Sequence, residues 1–88
     1  MEPPRPLDEI LDLPGVIDTE WIDPPMKTLF VGVTPPEELR PRYLLFVNGM
    51  YLVATIDEPG TWWMGEEREG IVRTWGRYGP LERAIAGL

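Results

Sequence analysis

The run Tyr43-Leu44-Leu45-Phe46-Val47-Asn48-Gly49-Met50-Tyr51-Leu52-Val53-Ala54-Thr55-Ile56 decides how this chain folds. Two apolar, β-prone segments flank a dipeptide that tolerates positive φ at both positions. That is the requirement of a type I′ turn, whose twist suits a two-residue hairpin. The register follows from the turn. Val47 faces Met50, Leu45 faces Leu52 and Tyr43 faces Ala54 on one side; Phe46 faces Tyr51 and Leu44 faces Val53 on the other. Both sides are apolar, so the hairpin belongs in the middle of a sheet that is covered, at least in part, on both faces.

Toward the C-terminus, Asp57-Glu58-Pro59-Gly60 reads as a turn. Thr61 to Met64 and Ile71 to Trp75 read as strands joined by a charged loop, Gly65 to Gly70, and Gly76 to Gly79 as a further turn. Pro80 opens a last helix in which Leu81, Ala84, Ile85 and Leu88 form one apolar stripe. Toward the N-terminus, Lys27 to Thr34 is a strand with Leu29, Val31 and Val33 on one side and Phe30 and Gly32 on the other. Thr34-Pro35-Pro36-Glu37 fits a capping box, and Pro41 limits the helix it would start to about one turn. Val16 to Ile22 is a strand with Ile17 and Trp21 inward, ended by Asp23-Pro24-Pro25. Leu7 to Leu13 is a short helix, its N-terminal end complemented by Asp8 and Glu9 and its end set by Pro14-Gly15. Residues 1–6 are proline-rich and irregular.

The expected architecture is therefore a single α+β domain over residues 1–88. It has a mainly antiparallel sheet of four to six strands, with the short N-terminal helix and the C-terminal helix on one face. Two short helices do not cover a whole sheet. The apolar surface left on the other face calls for the proline-rich segments, a second copy or a partner.

The chain has 88 residues, 11 of them proline, with no cysteine and no histidine. Serine and glutamine are also absent, and Asn48 is the one asparagine. A chain of this length buries only roughly 60–65% of its unfolded surface, and no disulfide or thiolate metal site is there to widen its narrow stability margin. No apolar run reaches the roughly 18 residues of a membrane span. The start, Met1-Glu2-Pro3-Pro4-Arg5-Pro6, lacks the basic and apolar regions of a secretory signal, so a cytoplasmic location is expected. Arginine outnumbers lysine seven to one. That bias, with the many prolines, is shared by thermophile proteins and GC-rich genomes.

The net charge is −7, and residues 1–44 carry nine acidic against four basic side chains. Free nucleic acid and anionic membranes are repelled by such a chain, and a basic protein surface is attracted.

Much catalytic chemistry is excluded by residue type. Without serine, cysteine and histidine, the Ser–His and Cys–His nucleophile pairs and the usual zinc sets cannot be built. No phosphate loop or dinucleotide fingerprint is present, and Lys27, the one lysine, flanks a strand as an ordinary surface amine. The carboxylates Asp8, Glu9 and Asp12, and Glu66, Glu67 and Glu69, lack the alternating ligands and glycine of a calcium loop. The expectation is a non-enzyme with no cofactor and no metal.

The aromatic residues carry more. Trp62 and Trp63 are adjacent in one strand and point to opposite faces, so one of them is expected to be exposed if only one face is covered, and every tryptophan is structural if both faces are. Trp75 and Tyr78 lie on the neighbouring strand and turn, with Arg77 between them. Tryptophan, tyrosine and arginine dominate the energetics of interfaces.

Trp75-Gly76-Arg77-Tyr78-Gly79 resembles the Trp-Gly-Arg-x-Gly motif of the WGR domains, which accompany DNA-dependent poly(ADP-ribose) polymerases. The resemblance covers five of 88 residues. In that family a further strand follows, whereas here Pro80 opens a helix, and an acidic chain is the reverse of a DNA-contacting module. No function is carried over from it. The opening Leu7-Asp8-Glu9-Ile10-Leu11-Asp12-Leu13-Pro14-Gly15-Val16 is similar to the start of Roadblock-type domains, a pattern compatible with many folds.

The sequence thus points to a small acidic, non-catalytic protein-binding module. One form of it is an inhibitor, of the immunity or phage anti-defence kind, that occupies the basic surface of a nucleic-acid-handling partner. Trp62, Trp63, Trp75, Tyr78, Arg77, Asp8, Glu9, Asp12, Asp18 and Glu20 are the expected contacts. The alternative is an accessory subunit that pairs with its own copy through an uncovered sheet face.

Overall fold

At Asn48 and Gly49 φ is 50° and 89°, the two left-handed positions of a type I′ turn. The turn sets the register of β4 (Pro41–Val47) against β5 (Met50–Thr55), and all five pairs expected from the sequence form. The computed structural model of the protein describes residues 5–23 and 27–88. The irregular start expected over residues 1–6 lies outside the described residues as far as Pro4, and so does the Pro24-Pro25 stop.

The remaining elements are α1 (Leu7–Leu11), β1 (Thr19–Ile22), β2 (Lys27–Phe30), β3 (Glu37–Glu38), β6 (Trp62–Arg68), β7 (Ile71–Tyr78) and α2 (Leu81–Ala86). They form one mixed sheet of seven strands in the order β1-β4-β5-β6-β7-β2-β3. The class is α+β, but the sheet is larger than the four to six strands expected, and β2 runs parallel to β7.

This order forces the sheet to curl. Laid flat, the five steps from β4 to β3 would separate those strands by roughly 24 Å. The link between them is only Leu39-Arg40, and the three residue steps from Glu38 to Pro41 reach about 11 Å at most. The link is tied down at both ends: the Leu39 amide donates to the Thr28 carbonyl (2.8 Å) and the Ile56 amide to the Arg40 carbonyl (3.0 Å).

Curling gives the protein two apolar clusters, one on each side of the sheet. Leu39, Leu44, Val53, Trp63 and Val72 fill one, with Phe30, Ile22 and Tyr51 packed against it. The other joins Leu45, Val47, Leu52, Trp62 and Met64 to Ile10 of α1 and to Leu81, Ala84 and Ile85 of α2. Leu88, expected in the α2 stripe, lies past the end of the helix and is exposed.

Four local expectations are corrected. The turn expected over Gly76 to Gly79 is strand as far as Tyr78. Thr34-Pro35-Pro36-Glu37 is not a helix start: the Thr34–Pro35 bond is cis, and Glu37 and Glu38 pair with Phe30 and Leu29 as β3. Each residue before a proline is kept out of the helical region, and neither Pro35 nor Pro36 has an N–H for a cap to accept. Because β3 returns alongside β2, the strand expected to reach Thr34 stops at Phe30, leaving Val31 and Val33 exposed. The charged loop expected between the last strands is strand as far as Arg68, closed by a second two-residue turn at Glu69 (φ 57°) and Gly70 (φ 80°).

The pairing of β6 with β7 is interrupted between Met64 and Gly65, where Trp75 is the extra residue of a bulge. Gly65 allows it. A Cβ at this position would be driven into the backbone carbonyl of Arg73. A second bulge lies between Pro41 and Tyr43, with Arg42 as the extra residue. Bulges bend a strand and re-aim its side chains.

Candidate functional site

The acidic N-terminal arm is built by α1, the loop after it and β1. Asp8, Glu9 and Asp12 sit on and just after α1, Asp18 just before β1 and Glu20 within it, and all five are exposed. Among the described residues none of them is in an ion pair. The single base of this stretch, Arg5, is taken by Glu82 at 2.6 Å.

Asn48 holds the arm to the body of the protein. Its Oδ1 accepts hydrogen bonds from the amides of Ile17 (2.8 Å) and Asp18 (3.0 Å), and its Nδ2 donates to the Gly15 carbonyl (2.7 Å). The Asn48 amide in turn donates to the Asp18 carbonyl at 2.8 Å. With its amides used this way, the segment before Thr19 does not join the ladder with β4. Ile17, expected inward, is 85% exposed and stands between Asp12 and Asp18 in the chain. Neither the Asn48 clamp nor an outward Ile17 is readable from the sequence. The one hint is that the chain's sole asparagine stands at the hairpin tip.

For Trp62 and Trp63 the case with both faces covered is the one found, while Trp75 is exposed. Trp62 and Trp63 do point to opposite faces, but both faces are filled, and they are only 7% and 4% exposed. Trp62 lies under the helices, and Trp63 packs in the other cluster with Phe30, ring centroids 4.8 Å apart. Tyr78 is half-buried against the helix-side cluster. Arg77 sits over the Trp63 ring at 5.4 Å and pairs with Glu58 at 2.8 Å. The exposed tryptophan is Trp75, put out at its bulge and 46% exposed. It lies on β7, with β4, β5 and β6 between it and β1 in the sheet order, so the structure does not bring it beside the acidic arm.

A cavity of about 250 Å³ opens where β3, the 56–60 turn and the end of β7 meet, lined in part by Phe30, Leu39 and Trp63. Of its four carboxylates, Asp57 is engaged by Arg40 and Glu58 by Arg77, whereas Glu37 and Glu38 are exposed and in no ion pair among the described residues. The hydrogen bond from Arg40 holds the Asp57 carboxyl below the ordinary carboxylate range. Asp57 is thereby held charged, which is unsuited to a general acid. Among the described residues no three carboxylates gather closely enough to hold a metal ion, and no helix is long and apolar enough to cross a membrane.

No protein family, curated protein or solved structure matches the chain.

Proposed function

We propose that this protein is a non-catalytic binding module whose acidic arm docks on a basic protein surface, as an inhibitor of a nucleic-acid-handling partner would. The observation that carries this reading is the set of exposed carboxylates on Asp8, Glu9, Asp12, Asp18 and Glu20, none in an ion pair among the described residues. Carboxylates free of internal partners steer a basic surface into encounter and then pair with it. Ile17 takes the anchoring part expected of Trp62 or Trp63. Its backbone is already fixed by Asn48, so little ordering is left to be done on binding. This reading is preferred to the self-pairing alternative because the chain's own Leu39, Phe30 and Trp63 pack on the second sheet face.

The test is affinity capture from host lysate with the wild-type chain and with an Asp8→Asn, Asp12→Asn, Asp18→Asn variant, followed by kinetics against the protein that only the wild type retains. Association should slow several-fold in the variant at low salt and converge with wild type near 1 M salt, where the Debye length is about 3 Å. Ile17→Ala should raise the dissociation rate at every salt concentration. An association rate indifferent to salt, together with a silent Ile17→Ala, would remove this reading.

A further inference from the structure

On the helix side of the sheet lies a larger groove, of about 540 Å³, within the range of small-ligand sites. It runs between the start of α2 and the adjoining ends of β4 and β5, and includes none of the acidic residues of the arm. Tyr43, Trp62 and Leu81 supply its apolar wall, and Arg5, Arg42 and Glu82 its charges. Trp21 stands behind that wall, 5.9 Å from the Tyr43 ring and 6.5 Å from Trp62 between centroids, and donates its indole N–H to the Arg5 carbonyl at 3.1 Å. The aromatic wall is thus braced from behind.

The charge of the groove is opposite to that of the chain. Arg5 and Glu82 neutralise each other at 2.6 Å. Arg42 has no carboxylate in ion-pair reach among the described residues, so the described lining is left with one positive charge in a protein of net charge −7. Its position results from the bulge. In a regular strand adjacent residues point to opposite faces. Here Arg42 is the extra residue, and both it and Tyr43 line the groove, the guanidinium 5.4 Å from the centre of the Tyr43 ring.

We infer that this groove is a binding site for a small organic monoanion with a flat apolar body, of the arylalkyl carboxylate class. The ring lies against Tyr43 and Trp62, and the carboxylate takes the two-pronged contact that a guanidinium offers. A neutral aromatic molecule would leave Arg42 unused, and an amine would meet its charge.

The experiment is an NMR titration of the full-length protein with three molecules of one shape: 1-naphthylacetate, 1-methylnaphthalene and 1-naphthylmethylamine. The acid should shift the resonances of Arg42, Tyr43, Trp62 and Leu81 at up to millimolar concentration, with the neutral molecule several-fold weaker and the amine weaker still. Arg42→Gln should weaken the acid about tenfold and leave the neutral molecule unchanged, since a hydrogen bond to a charged group is lost only with the former. Arg68→Gln, on the distant β6–β7 hairpin, should change neither, and unperturbed resonances outside the groove show that Arg42→Gln is folded. Equal binding of acid and neutral molecule, an acid affinity indifferent to Arg42→Gln, or no shift at the groove residues would each overturn the inference.

Discussion

Replacing Asn48 by glycine separates what this residue does as a turn former from what it does as a clamp. Glycine tolerates the φ of 50° at this position, so the type I′ turn and the Val47–Met50 register survive. The bond from the residue-48 amide to Asp18 survives as well. The side-chain bonds to Ile17, Asp18 and Gly15 are lost. Each contributes about 0.5–1.5 kcal/mol net, and because they lie at the surface the lower end applies, for about 1–3 kcal/mol in all. With a urea dependence of about 1 kcal/mol per M for a chain of this size, the midpoint should fall by roughly 1–3 M. Asn48→Asp keeps the acceptor and loses the donor to Gly15, so its loss should be smaller. The second readout is local. Exchange of the Ile17 and Asp18 amides should rise in Asn48→Gly by a larger factor than exchange of the Leu45 and Leu52 amides. If the urea midpoint is unchanged and Ile17 and Asp18 stay as protected as in wild type, the clamp holds nothing and Ile17 is not pre-ordered by it.

Gly65→Ala should cost at least about 3 kcal/mol, or prevent folding, because the new methyl is driven into the Arg73 carbonyl at the bulge; Gly79→Ala, which meets nothing, is the comparison in thermal unfolding. Glu82 and Asp57 both have carboxyl groups below their ordinary range, Glu82 through its own backbone amide and then Arg5, Asp57 through Arg40. The stability they add is therefore full above the unfolded value near pH 4 and is lost as pH falls through the lower folded values. The stability gap between wild type and an Asp57→Asn, Glu82→Gln double variant should close progressively as pH falls below about 4, and a gap that widens on acidification would reverse the sign of both shifts.

The hairpin is legible to the residue because its information is local. Asn48-Gly49 specifies a turn, and the turn specifies five cross-strand pairs. The last helix is legible for the same reason, with Leu81, Ala84 and Ile85 buried at helical spacing. What escapes the sequence is non-local. The parallel pairing of β2 with β7 joins residues more than forty positions apart, Lys27 with Ile71 and Phe30 with Thr74. Nothing in either segment names the other. Leu39, isolated between charged residues and prolines, gives no periodic signal, yet it closes the cluster that makes Trp63 structural. The bulges are invisible to a period-two reading, which takes the side-chain alternation as unbroken. Alternation assigns Trp62 and Trp63 to opposite faces, as observed, but cannot put Trp75 outward or set Arg42 beside Tyr43. The candidate contacts divide along the same line. The acidic residues are exposed, as solvated charges are, while the aromatic contacts depend on which faces the fold covers.

The two surfaces proposed for this protein carry opposite local charge, and salt should act on them in opposite directions. A basic partner is attracted to the arm at every distance, so screening only removes attraction, and its association slows as salt rises. A small anion entering the groove meets a different balance. Far away it is repelled by the net charge of −7, and only at contact does Arg42 attract it. Added salt first screens what acts beyond the Debye length, about 30 Å at 0.01 M and 8 Å at 0.15 M, which is the repulsion. The contact with Arg42 is shorter than either length and is screened last. Naphthylacetate affinity should therefore hold or rise from 0.01 M to 0.15 M salt, while association of the arm with its partner falls over the same range. A naphthylacetate affinity that falls as steeply as the arm's association would mean that the anion is held by diffuse positive potential and not by Arg42, and that the bulge has no part in recognition.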